Sequence, residues 1–184
     1  MKTAPRRRAP RKPAAKAPAI VLIVEEPRWR KDAPALRLIR RAARLALSSP
    51  LSSAGGEGRG EEDPRSLTIL LTNDARLRAL NASFRGKDKP TNVLSFSADE
   101  DSPSLGDIAM AYGVVTREAR AQGKDFAAHA AHLALHGTLH LQGWDHENAK
   151  DARRMEALEI KLLSALGITD PYRPRLYTRS RKAS

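Results

Sequence analysis

An α+β fold is predicted for this chain, a sheet of about four strands packed with helices around one central histidine-bearing helix. Three observations predict it. Short β-branched runs fall mostly in the first 112 residues, whereas helical periodicity dominates the rest. The segment 125–142 is apolar almost all round, through Phe126, Ala130, Ala131, Leu133, Ala134, Leu135, Leu139 and Leu141. A helix of that kind is central and buried. That same segment carries His129, His132, His136 and His140.

The elements follow in order. Ala19–Val24 is a short apolar run and reads as a strand. Asp32–Ser48 sets Leu36, Ile39, Ala43 and Leu47 at helical spacing, with arginines opposite. Ser49–Pro64, rich in Ser, Gly and Glu, reads as a loop. Ser66–Thr72 is a second strand. Asn73 or Asp74 caps a helix to about Phe84, with Leu77, Leu80 and Phe84 expected on its buried side. A polar loop leads to a strand over Asn92–Ser97. Ser102–Leu105 reads as a turn, Asp107–Tyr112 as a fourth strand and Thr116–Gln122 as a short helix ended by Gly123. Asp125 caps the long helix. Ala149–Leu166 is the last helix, with Met155, Leu158, Ile160, Leu162 and Leu163 as its apolar residues.

The net charge of +12 is unevenly placed. Residues 1–18 hold seven Lys/Arg and 171–184 hold five, with no acid in either, so 19–170 is balanced. The expected organisation is therefore a disordered basic tail over 1–18, one domain over 19–170 and a basic tail over 171–184. Basic tails on a balanced domain suit a polyanionic partner, and RNA contacts are expected of them. The plainer reading is a solubilising tail. Four prolines in 1–18 argue against a transit-peptide helix. No window has the run of about 18 apolar residues that a membrane span needs, and no secretory signal is evident. A cytoplasmic protein without a membrane partner is expected. Without Cys, neither disulfides nor a closed thiolate zinc site can form.

The stretch from His136 to His146 carries the chemistry. His136 and His140 are four apart, so their rings stand on one helical face. A helix would not return His146 to that face, but a turn at Gly143 would. Three neutral imidazoles would then converge and leave one position open, as in a catalytic zinc site. His132 lies on the same row. A row of three at i, i+4 and i+8 spans about 12 Å, too far for one ion. His136, His140 and His146 are therefore the expected ligands, with His132 supporting them or lying in the core, and His129 structural. The zinc-protease motif His-Glu-x-x-His has its general base where this chain has Gly137. A metal would still activate water without that base, so the pattern favours a metal hydrolase over a protease.

A second constellation runs from Leu80 to Phe96. Arg85 ends a helix, Lys87 and Lys89 follow in a basic loop, and a strand begins at Asn92. Arg85 could bind a phosphate and stabilise its charge, or it could be a solvated helix-end cation. Spacing alone leaves both open.

Together these stretches resemble the YbeY family of bacterial rRNA maturation endoribonucleases. The family's His-Gly-x-Leu-His-Leu-x-Gly-Tyr-Asp-His signature matches His136–His146, with Trp144 for the usual Tyr. Its Asn-x-x-Phe-Arg-x-x-Asp-x-Pro-Thr-Asn-Val-Leu-Ser-Phe segment matches Asn81–Phe96, and its Gly-Asp-Ile strand start matches Gly106–Ile108. The resemblance covers about 19–170; the tails and the Ser49–Pro64 loop lie outside it. It implies one zinc (Zn2+) per chain on His136, His140 and His146, and a functionally important Arg85 as the catalytic residue near it. It implies single-strand-specific RNA cleavage, maturation of the 3′ end of small-subunit (16S) rRNA, and ribosome quality control. The implied partners are single-stranded RNA, rRNA and the small ribosomal subunit. The implied fold is a mixed sheet flanked by helices, distantly like zinc proteases. Two alternatives stand beside it: a metalloprotease-like hydrolase using the same histidines, and a non-catalytic ribosome assembly factor with a structural zinc.

Overall fold

The structure is a computed structural model, and it describes residues 19–49, 66–146 and 148–173. The expected N-terminal tail, most of the Ser49–Pro64 loop and the end of the C-terminal tail lie outside these residues. Four strands form one mixed sheet: β1 (Ile20–Val24), β2 (Ser66–Thr72), β3 (Val93–Ser97) and β4 (Ser104–Ala111). The order is β1-β2-β4-β3, with β1 and β4 parallel to β2 and β3 antiparallel to β4. Among the described residues, six helices accompany it: α1 (Pro27–Arg30), α2 (Ala33–Leu47), α3 (Asp74–Arg85), α4 (Tyr112–Ala121), α5 (Phe126–Leu141) and α6 (Ala149–Ser164). The expected α+β architecture is present.

The side-chain period of two sorts the sheet into two faces. Ile108 and Met110 of β4 join Leu67, Ile69 and Leu71 of β2 in a cluster with α2 and α5. Ala109 and Ala111 face the other way, against Leu77 of α3 and Leu94 of β3. Helix α5 is clamped on both sides. Ala130, Leu133, Ala134 and Leu141 pack towards the sheet, and Ala131, Leu135 and Leu139 pack against α2 and Met155 and Leu163 of α6. Asp125 caps it by accepting from the Ala128 amide at 2.9 Å. An all-round apolar helix thus fixes its histidines inside the fold.

Four local expectations change. Strand β4 begins at Ser104, inside the expected turn. Gly106, at φ 141, lets it pair there: a β-carbon would sit 2.2 Å from the Phe96 carbonyl oxygen, and the register against β2 shifts at this point. Helix α4 begins at Tyr112, before the expected Thr116, and its N-cap, Ala111, makes no side-chain hydrogen bond. Asp74 serves the helix end instead, accepting from the Val114 amide at 3.0 Å from 40 residues away. The short α1 has no apolar period to announce it; it inserts Trp29, fully buried, whose indole donates to the Thr72 carbonyl at 3.1 Å. Phe84 is 67% exposed rather than buried. It lies in the last turn of α3, where its ring meets that of Phe96 edge to face, with ring centroids 5.0 Å apart.

Candidate metal centre

His136 and His140 come from the last turns of α5, and a left-handed turn carries the chain back to His146. Gly143 has φ 84. Its amide donates to the His140 carbonyl at 2.9 Å, and the Trp144 amide donates to the Leu139 carbonyl at 3.0 Å. A left-handed glycine closing a helix in this way reverses the chain. One nitrogen each of His136, His140 and His146 then lies within 4.8 Å of the others. The His136 and His140 rings are 4.5 Å apart, and His146 lies 4.9 Å from His140 and 5.6 Å from His136. The three can hold a metal ion.

The donor set fits a cation. Nε2 of His136 and Nε2 of His140 face each other at 3.0 Å. Two nitrogens bound tetrahedrally to one zinc lie about 3.3 Å apart. The other nitrogen of His136, Nδ1, is 2.7 Å from the Glu159 carboxylate. A carboxylate only accepts, so Nδ1 presents a hydrogen to Glu159 and Nε2 is the nitrogen left to face His140. Burial lowers the His140 pKa, and a hydrogen bond to the Trp144 backbone works the other way. His140 is thus neutral at neutral pH, as a ligand must be.

His132 does not join this group. Its Nε2 is 2.9 Å from the second oxygen of Glu159, and Tyr172 donates its hydroxyl to the same oxygen. Glu159 is fully buried. Burial works to raise its carboxyl, but hydrogen bonds from His132 and His136 outweigh it and hold the group at about 2. The sequence reading passed over Glu159. Its signal was a carboxylate in the row Met155–Glu159–Leu163, whose other two members are buried and apolar. Tyr172, assigned from sequence to the basic C-terminal segment, hydrogen-bonds into the domain, and its neighbour Pro171 is buried. His129 lies elsewhere, 2.9 Å from Glu118, which also accepts from the Asn92 amide group.

The position of the absent protease glutamate is filled by neighbouring elements. A β-carbon on Gly137 would meet Ser95 Oγ at 2.9 Å and Ile108 Cδ1 at 3.1 Å. A side chain there would displace Ser95 and press on Ile108, so glycine lets α5 lie close against β3 and β4.

Arg85 is the last residue of α3 and is exposed. Its guanidinium makes no hydrogen bond or ion pair with a described residue. The loop after it is tied down on both sides. Arg78 forks onto Asp88 at 2.7 Å twice, and buried Asn81 donates to the Lys89 carbonyl at 2.8 Å. The basic loop is therefore anchored, while Arg85 at its head stays available.

A three-histidine group that can hold a metal ion, carried on the inner helix of an α+β domain, is the kind of site a metal-assisted hydrolase uses. The sequence profile described as endoribonuclease YbeY matches residues 41–167. The chain belongs to the YbeY family of endoribonucleases. An endoribonuclease YbeY of Rhodopseudomonas palustris is 44% identical over 162 residues, covering 84% of this chain and 81% of its own. That of Nitrobacter hamburgensis is 44% identical over 167 residues, covering 86% and 84%. That of a Chelativorans species is 54% identical over 113 residues, covering 58% and 69%. In fold, the chain matches the solution structure of a Thermotoga maritima protein with a TM-score of 0.51 at 22% identity, over 84% of this chain and 99% of that one. Among the described residues, no helix is long and apolar enough to cross a membrane.

Proposed function

We propose that this chain is a zinc-dependent, single-strand-specific endoribonuclease that matures the 3′ end of small-subunit (16S) rRNA and acts in ribosome quality control. One observation carries the metal part: two imidazole Nε2 atoms face each other at 3.0 Å while the His136 proton is held at Nδ1. Zinc suits three neutral imidazoles with an open position. His136, His140 and His146 would hold it. When bound, the ion supplies Lewis acidity that activates water and polarises a phosphodiester.

The chain's own residues do the rest. Arg85, unpaired at the head of an anchored loop, would take the scissile phosphate as a planar fork and stabilise the charge that builds on it. Phe84, exposed beside Arg85 and braced by Phe96, offers a face on which an unpaired base can stack. That pairing favours a single strand over a duplex. The basic segments at 1–18 and 174–184 would add salt-sensitive affinity for rRNA and the small subunit. The protein would work in the cytoplasm. Gly137 speaks against a protease, since the glutamate base is absent and a side chain there would have to displace Ser95.

The test uses highly purified protein, because contaminating nucleases imitate cleavage. Elemental analysis should find about one zinc per chain, with most of it lost in His136→Ala and His140→Ala. Cleavage of single-stranded RNA should disappear on chelation and in His140→Ala. Full metal retention in both variants would sink the ligand set. Cleavage that persists without metal would sink the mechanism, and no cleavage by the metal-loaded wild type would leave the assembly-factor reading.

A further inference from the structure

We propose that Glu159 is the positioning residue of the metal centre. Its carboxylate holds the His136 ring so that Nε2 points at the ion, and Tyr172 and His132 hold that carboxylate in turn. This rests on the reading of His136, His140 and His146 as metal ligands.

A carboxylate at 0% exposure in an otherwise apolar helical row is costly unless it is fully satisfied. Glu159 has three donors on its two oxygens. His136 Nδ1 lies at 2.7 Å from Oε1, His132 Nε2 lies at 2.9 Å from Oε2, and the Tyr172 hydroxyl also reaches Oε2. Because a carboxylate accepts only, each partner must present a hydrogen. His132 therefore presents a hydrogen from Nε2, and its Nδ1 is buried without a partner among the described residues. The Tyr172 phenol keeps its proton, since burial and the Glu159 hydrogen bond both raise it. His136 is fixed in one tautomer and one ring orientation, with its lone pair towards His140. Partners of this kind raise the basicity of a ligating imidazole as well as orienting it.

Three separate parts of the chain meet at this carboxylate: α5 through two histidines, α6 through Glu159 itself, and the segment after α6 through Tyr172. The last helix and the residues that follow it are thus part of the metal centre without touching the ion. A simple packing role for Glu159 would stabilise the fold and leave metal binding alone. A positioning role changes metal affinity and ligand geometry.

The experiment titrates Co2+ into metal-free full-length protein against a competing chelator. It reads the dissociation constant, the visible Co2+ spectrum, and the melting temperature without metal. Glu159→Gln should bind about 10–100-fold more weakly than wild type, the usual loss for a partner of a metal-ligating histidine, with altered ligand-field bands. Tyr172→Phe should show a smaller loss in the same direction. Wild-type affinity and spectrum in a folded Glu159→Gln would overturn the inference even if its melting temperature fell. His140→Ala runs alongside: equal binding by it and wild type would overturn the metal reading itself, and this inference with it. Should Glu159→Gln fail to fold, the wild-type chain still decides. With 113Cd bound and histidines labelled with 15N, cadmium should couple to His136 Nε2 and Nδ1 should retain its proton. Coupling to His136 Nδ1 would overturn the inference.

Discussion

Ser95 of β3 donates its hydroxyl to the Gly137 carbonyl at 3.2 Å, and the same hydroxyl lies where a β-carbon on Gly137 would press at 2.9 Å. The contact joins the edge of the sheet to the turn of α5 between the two helical histidines. It sets how deep those histidines sit.

Gly137→Ala should therefore destabilise the fold despite gaining helix propensity. Overpacking costs about 1–3 kcal/mol, against about 1 kcal/mol gained on replacing a helical glycine. A net loss of about 1 kcal/mol is expected, seen as a melting temperature lower by about 2–4 °C. Adding Ser95→Ala should recover part of it, because the two sites touch and do not behave additively. Gly137→Glu should be far worse and should create no protease. A stable Gly137→Glu that retains its metal would show that the crowding is not real.

Arg85→Ala should leave zinc content and melting temperature unchanged, since the guanidinium makes no hydrogen bond or ion pair with a described residue. Cleavage should slow by about 10²-fold or more, the scale for losing one preorganised donor. Arg85→Lys should recover only part, because a point charge does not replace the planar fork. The check is single-turnover cleavage, and a wild-type rate in Arg85→Ala would return this residue to a solvated helix end.

Removing residues 1–18 and 174–184 takes away seven and four Lys/Arg respectively. RNA binding should weaken, and its dependence on salt should flatten as fewer counterions are released. The cut belongs after Arg173, because Pro171 and Tyr172 pack onto the domain. The melting temperature should hold. An unchanged salt slope would mean that neither segment touches RNA.

His129 should make the fold acid-sensitive. Burial lowers its pKa below the model-peptide 6.5, against a hydrogen bond to Glu118 that raises it. The unfolded chain then binds the proton more readily, so stability rises with pH. The contribution is fully present above about 6.5 and is lost as pH falls through the lower folded value. Chemical denaturation at several pH values should give His129→Gln a shallower slope below 6.5 than wild type. Identical slopes would show that His129 titrates in the fold as it does unfolded.

Local pattern was enough for much of this molecule. The spacing of His136 and His140, with Gly143 ahead of His146, implied convergence because helix period and glycine turns are properties of a few adjacent residues. Ser66–Thr72 and the long apolar helix were legible for the same reason, since burial on every side leaves an unmistakable composition. The family signature lay in His136–His146, Asn81–Phe96 and Gly106–Ile108, each a contiguous run.

The parts that were not legible depend on residues far apart in the chain. The start of α4 was missed because its capping carboxylate, Asp74, comes from another helix. Phe84 had the right spacing to be buried, but spacing does not show that the opposing surface stops short of the helix end. Glu159 looked like one of many surface acids until α6 turned it inward and His132, His136 and Tyr172 surrounded it. The three-histidine group was determined by sequence because neighbouring residues build it. What holds and orients His136 was decided only by tertiary structure, because a buried charge is tolerable only where distant segments bring it enough donors.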